Sequence, residues 1–155
     1  MRVSLTINGR SREVDAAPSQ TLLDVLRDTL GIFDVKDGCG EGVCGACTVL
    51  LDGRPVSSCL VLAPTAARRA ITTVRGLETN GELHALQQAF LRHGAVQCGF
   101  CTPGMLLTGL AYLERRPGAD REALRHAIEG NLCRCTGYAK ILDALEAYAR
   151  ESSRG

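Results

Sequence analysis

The 155-residue sequence predicts an α+β fold: a β-rich domain over residues 1–76, then an all-α, four-helix domain over residues 77–155. Three observations predict it. Apolar residues alternate in the first half around Asn-Gly and Asp-Gly turns, the signature of hairpins. Beyond Gly81 the apolar residues recur at helical spacing instead. Eight cysteines fall into two groups of four, one in each half, with a Cys-free stretch from 60 to 97 between them.

Val3, Leu5 and Ile7 alternate ahead of Asn8-Gly9, which predicts a strand and a tight turn. Thr21 is placed to cap a helix with an apolar face of Leu22, Val25, Leu26 and Leu30, stopped by Gly31. A glycine-rich loop runs from Gly38 to Gly45. Thr48 to Leu51, the Asp52-Gly53 turn and Val56 predict a second hairpin, and 60–62 and 71–74 are further strand candidates. Gly76, Asn80 and Gly81 mark a linker over 75–81. Leu83, Leu86 and Phe90 then share one helical face. Thr102-Pro103 predicts a capped helix with proline at its first position, apolar almost all round from Met105 to Leu113 and hence buried among others. Asp120 caps a helix carrying Leu124 and Ile128, and Tyr138, Ile141, Leu142 and Leu145 mark the last one.

Composition narrows the function. With 18 Lys+Arg against 17 Asp+Glu, the net charge of +1 is too weak a field for a nucleic-acid partner or a basic membrane anchor. No apolar run approaches the ~18 residues of a membrane helix, and the N-terminal alternation differs from the continuous apolar stretch of a secretory signal. The expectation is a cytoplasmic protein, where thiols stay reduced and clustered cysteines bind metal more often than they pair.

The first group, Cys39, Cys44, Cys47 and Cys59, has the spacing C-x4-C-x2-C followed by a distant fourth cysteine. This is the plant-type ferredoxin arrangement for a [2Fe–2S] cluster. Three thiolates within nine residues must converge on one small inorganic core, so the backbone wraps tightly and glycines are needed along it. Structural zinc also takes four cysteines, but from short paired C-x2-4-C loops. The second group, Cys98, Cys101, Cys133 and Cys135, is less diagnostic: by spacing alone zinc and iron–sulfur remain open. Cys98 and Cys101 precede a helix start, and Cys133 and Cys135 precede the final helix, so two positive dipole ends favour an anionic centre there.

Three segments taken together are specific: 38–47 (GCGEGVCGAC), 97–104 (QCGFCTPG) and 133–138 (CRCTGY). Their order closely resembles the small iron–sulfur subunit of the molybdenum hydroxylases, the xanthine oxidase and aldehyde oxidoreductase family, over about residues 1 to 150. The resemblance implies a ferredoxin-like β-grasp domain and a helical domain, each with one [2Fe–2S] cluster. It implies molybdopterin, in a dinucleotide form, on a large partner subunit, FAD on a medium subunit, and a dimer of such heterotrimers. By position Gln97 and Cys135 match family residues that touch the pterin, so Cys135 is both ligand and electron inlet. Val43 departs from relatives, where this non-ligand position is often acidic or glycine. The chain then passes electrons from the molybdopterin site through both clusters toward FAD or another acceptor, and the substrate chemistry belongs to another polypeptide.

Other motifs carry less. Gly40-x-Gly42-x-x-Gly45 matches the dinucleotide fingerprint literally but lacks the preceding strand and has cysteines inside it. Cys98-x-x-Cys101 lacks the βαβ context of a thioredoxin pair. His93 reads as a cation near a helix end, and His84 and His126 as surface residues. The competing functions are a zinc-stabilised four-cysteine interaction module and a free-standing ferredoxin-type carrier.

Overall fold

The computed structural model describes residues 1–154. Strands β1 (Arg2–Ile7) and β2 (Arg10–Asp15) pair antiparallel about Asn8-Gly9, with Val3, Leu5 and Ile7 buried on one face. Thr21 caps the helix α1 (Leu22–Asp24) through a reciprocal box: its Oγ1 accepts from the Asp24 amide at 3.1 Å, and Asp24 accepts from the Thr21 amide at 3.2 Å. The expected single α-helix instead widens into a π-helical turn over Val25–Thr29. There the Leu30 amide reaches back five residues to the Val25 carbonyl, which leaves the Leu26 carbonyl to accept from Ile32 at 2.8 Å and turns the chain back after Gly31.

β3 (Thr48–Leu51) and β4 (Arg54–Ser57) form the second hairpin, and β5 (Ala70–Thr72) lies parallel to β1 and antiparallel to β3. The five-stranded sheet has the order β2-β1-β5-β3-β4. Two strand expectations need correction. Residues 58–60 form a 3₁₀ turn and Leu62 makes only an isolated bridge to Thr21. The buried Ser58 hydroxyl donates to the Cys47 carbonyl at 2.7 Å, which curls the chain there and turns Leu60 outward. The 71–74 candidate ends at Thr72, because the Thr73 amide donates to the Asn8 side chain and Val74 opens a 3₁₀ turn to Leu77. The region expected as a linker thus carries that turn, and Leu77 is buried in the helical core.

Beyond it come α2 (Ala85–Arg92), α3 (Thr102–Arg115), α4 (Arg121–Ala127) and α5 (Ala139–Ser152). α3 begins one residue earlier than expected: Cys101 occupies the cap position, without a side-chain cap bond, and Pro103 is the second helical residue. Any position of the first turn suits a residue lacking an N–H. His84 is not a bystander on the surface; it is half-buried and caps α2, its Nδ1 accepting from the Leu86 amide at 3.1 Å. Asp120 caps α4 as expected, accepting from Ala123 at 2.9 Å.

Two hydrophobic cores result. One, with Leu5, Leu22, Leu26, Val49 and Ile71, lies under the sheet and includes Cys47 and Cys59. The other, with Leu86, Phe90, Met105, Leu107, Leu124, Ile141 and Leu145, fills the helical domain. β3 stands between them and is buried along its whole length, with Leu50 joining the helical core while Val49 and Leu51 join the other. A strand covered on both faces reads as a continuous apolar run, which is how Val49 to Leu51 appear in the sequence. No helix among the described residues is long and apolar enough to cross a membrane.

Candidate metal centres

The loop between α1 and β3 carries Cys39, Cys44 and Cys47, and the 3₁₀ turn after β4 brings Cys59 to them. The Cys39 and Cys44 thiols adjoin each other, as do those of Cys47 and Cys59, and Cys39 lies near enough to Cys59 to repel its charge. The amides of Glu41, Val43 and Cys44 all donate to the Cys39 sulfur at 3.4 Å, and the Ala46 amide donates to Cys44 at the same distance. The Cys44 amide bond, then those of Glu41 and Val43, hold the Cys39 thiol down to about 6. Burial, then the neighbouring Cys47 thiol, pushes Cys59 up to about 11, and burial raises Cys44. The loop is therefore built to stabilise negative charge on sulfur at its rim. Gly38 is required because a Cβ there would lie 2.7 Å from the Cys44 sulfur. No helix opens from the Gly40-x-Gly42-x-x-Gly45 run; β3 follows it, so the dinucleotide reading lacks its structural context.

In the helical domain Cys98 and Cys101 end the loop before α3, and Cys133 and Cys135 lie in the segment between α4 and α5. The Cys101 thiol adjoins that of Cys133, and Cys98 that of Cys135. Burial, then Cys133, pushes Cys101 up to about 12. Burial acts in the same sense on Cys133, but the Thr136 hydroxyl and amide, together with the Cys101 thiol and the Cys135 amide, outweigh it and leave that thiol lowered. Thr136 Oγ1 donates to the Cys133 sulfur at 3.0 Å and its amide at 3.5 Å.

Only one of the two expected helix ends abuts this group. α3 starts directly at Cys101, whereas α5 begins four residues after Cys135, beyond Gly137 and a left-handed Tyr138 (φ +69°). The Tyr138 hydroxyl accepts from the Cys133 amide at 3.0 Å, and this bond accompanies the strained conformation. Nothing in the sequence singles out Thr136 and Tyr138 as contributors to the site, although both lie in the 133–138 segment. Gln97, Cys98 and Cys135 are all exposed, so this group opens to solvent on one side.

Among the described residues no three His, Cys, Asp or Glu side chains close around a single-ion position; the thiols meet two by two. Two thiol pairs per site are compatible with a two-iron core, in which each iron takes two thiolates. The fit of donor set and N–H surroundings to such a core is good in both groups. The two groups also touch through the backbone, the Leu132 amide donating to the Cys44 carbonyl at 2.8 Å.

Two family models match the chain, one over each half. Residues 5–71 match a 2Fe-2S iron-sulfur cluster binding domain, and residues 73–146 match a [2Fe-2S] binding domain. The nicotinate dehydrogenase small FeS subunit of Eubacterium barkeri is 48% identical over 149 residues, covering 96% of this chain and 94% of its own. Quinoline 2-oxidoreductase from Pseudomonas putida 86 has a solved chain that superposes with a TM-score of 0.94 at 48% identity, over 100% of this chain and 97% of that one. The aldehyde oxidoreductase of Desulfovibrio desulfuricans superposes at 0.93 with 40% identity, over 99% of this chain but 17% of its longer one. The chain therefore belongs to the family of small iron–sulfur subunits of the molybdenum hydroxylases, and it is an electron-transfer subunit of an oxidoreductase.

Proposed function

We propose that Cys39, Cys44, Cys47 and Cys59 ligate one [2Fe–2S] cluster and Cys98, Cys101, Cys133 and Cys135 a second. On this reading electrons enter at the second and leave from the first. The observation that carries the reading is the meeting of each quartet in two thiol pairs under backbone or hydroxyl donors. When bound, the clusters supply one-electron redox chemistry. The chain's own residues ligate, bury and hydrogen-bond the sulfurs, and so set their spacing and potential. No side chain here is asked to act as nucleophile or general base.

The exposed side of the second site, with Gln97 and Cys135, is the face we assign to a molybdopterin dinucleotide held by a large subunit. Exposed Val43 and Leu60 beside the first site mark the face assigned to an FAD-carrying medium subunit, within a dimer of heterotrimers. The division between the two electron-carrying units is placed at 76/77, and the location is read as cytoplasmic, where the thiols remain reduced.

Anaerobic purification of the full chain tests the ligand assignment. The expected result is a brown protein with about four irons per chain, two per cluster, and two EPR signals on reduction. A colourless protein with two zincs per chain would sink it. Isolation as a monomer without molybdenum would favour the diffusing carrier. A smaller effect follows from the Thr136 hydroxyl: because it stabilises charge on sulfur, Thr136→Val should lower the second cluster's potential by roughly tens of mV, a fraction of a charge-assisted hydrogen bond for a one-electron couple. An EPR-monitored redox titration checks this, with the first cluster unshifted.

A further inference from the structure

We propose that Asn131 is a positioning residue that fixes the separation and orientation of the two iron–sulfur sites. The residue is 4% exposed, one of few buried polar residues among those described. Its Nδ2 donates to the Gly45 carbonyl at 3.1 Å and contacts the Thr48 hydroxyl at 3.4 Å, and that hydroxyl donates to the same carbonyl at 2.7 Å. Gly45 follows Cys44, and Asn131 lies two residues before Cys133, so the amide joins the segments carrying one ligand from each proposed site.

The surroundings make this junction rigid. The Asn131 amide donates back to Ile128, at the end of α4, at 2.9 Å, which anchors the residue to the helical domain. The Leu132 amide adds the parallel bond to the Cys44 carbonyl. Gly104, in the first turn of α3 after Cys101, packs so closely that a Cβ there would meet the Gly45 carbonyl and approach Asn131 Nδ2 to 2.9 Å. The segments bearing Cys44, Cys101 and Cys133 therefore converge on one carbonyl oxygen, and Asn131 is the side chain that satisfies it across the domain boundary. A buried donor of this kind is worth little for net stability, and without it the carbonyl keeps the Thr48 hydroxyl and amide as partners, but the one side-chain bond that reaches it from the helical domain is gone and the junction is freer to shift. Electron passage between two sites in series depends on their distance, so a residue that locks the junction acts on function through geometry alone.

The inference rests on the assignment of a cluster to each quartet. It is tested on the full chain carrying its clusters, with Asn131→Asp, which keeps the shape but loses both donated hydrogens, and Asn131→Ala, which removes the side chain. In the reduced wild type the two paramagnetic sites should split each other's EPR lines, a coupling that falls with the cube of their separation. Either variant should keep both signals and the wild-type iron content while the splitting collapses or broadens and intramolecular electron transfer slows. Unchanged splitting with both signals present overturns the proposal. Loss of a signal in both variants also overturns it, since Asn131 would then serve folding. Failure of the cluster assignment itself shows separately, as missing signals in the wild type.

Discussion

Replacing Cys98 by serine removes one of the two EPR signals of the reduced chain and leaves the other. Cys98 is exposed and lies beside Cys135 at the open side of its quartet, so the substitution deletes a thiolate without disturbing a core. The other quartet draws on different packing: Cys47 and Cys59 belong to the core under the sheet, together with Leu5, Leu22 and Ile71. That core shares no buried side chain with the one formed by Leu86, Met105 and Ile141. Turnover of the assembled oxidoreductase should fall at least as far as the ~10–100-fold that loss of an outer-shell partner costs a metal site. Iron analysis should show about half the wild-type content. Loss of both signals would mean that the junction through Leu50 and Gly45 makes the domains one folding unit.

The parts of this structure that were legible are those governed by local chemistry. Asn8-Gly9 and Asp52-Gly53 name their turns, Thr21 and Asp120 name their caps, and the apolar stretch from Met105 to Leu113 names a buried helix. The cysteine spacings were legible for the same reason, because a small inorganic core dictates where its ligands sit along a loop. What escaped was set by groups distant in sequence. The 3₁₀ turn at 58–60 depends on Ser58 reaching the Cys47 carbonyl, and a short apolar run reads the same as strand or turn. The junction between the quartets joins residues 86 positions apart, and nothing local to Asn131 marks it as a donor to Gly45. Thr136 escaped for a different reason: it lies only three residues from Cys133, but a threonine in a turn does not announce that its hydroxyl, held by the Tyr138 amide at 3.1 Å, donates to a sulfur.

Gly45→Ala should be the most damaging single-methyl change in the glycine-rich loop. Gly45 has φ +72°, a conformation that costs an alanine about 1 kcal/mol or more. Its Cβ would also lie 2.5 Å from the Gly130 carbonyl oxygen and 2.6 Å from Asn131 Nδ2. The first of these is backbone and the second belongs to a buried side chain, so neither can swing aside, and overpacking adds roughly 1–3 kcal/mol. The sum of about 2–4 kcal/mol should lower the melting temperature of the cluster-loaded chain by roughly 5–15 °C. Gly40→Ala separates the two causes: Gly40 has φ +67° in the same loop, but nothing lies within 4 Å of its Cβ position. It should therefore lose only the conformational part. Thermal unfolding of the two variants side by side decides the matter. Equal losses would show that backbone strain dominates and that the Gly45–Asn131 contact gives way easily, whereas a larger loss at Gly45 places the rigid point of the molecule between its two quartets.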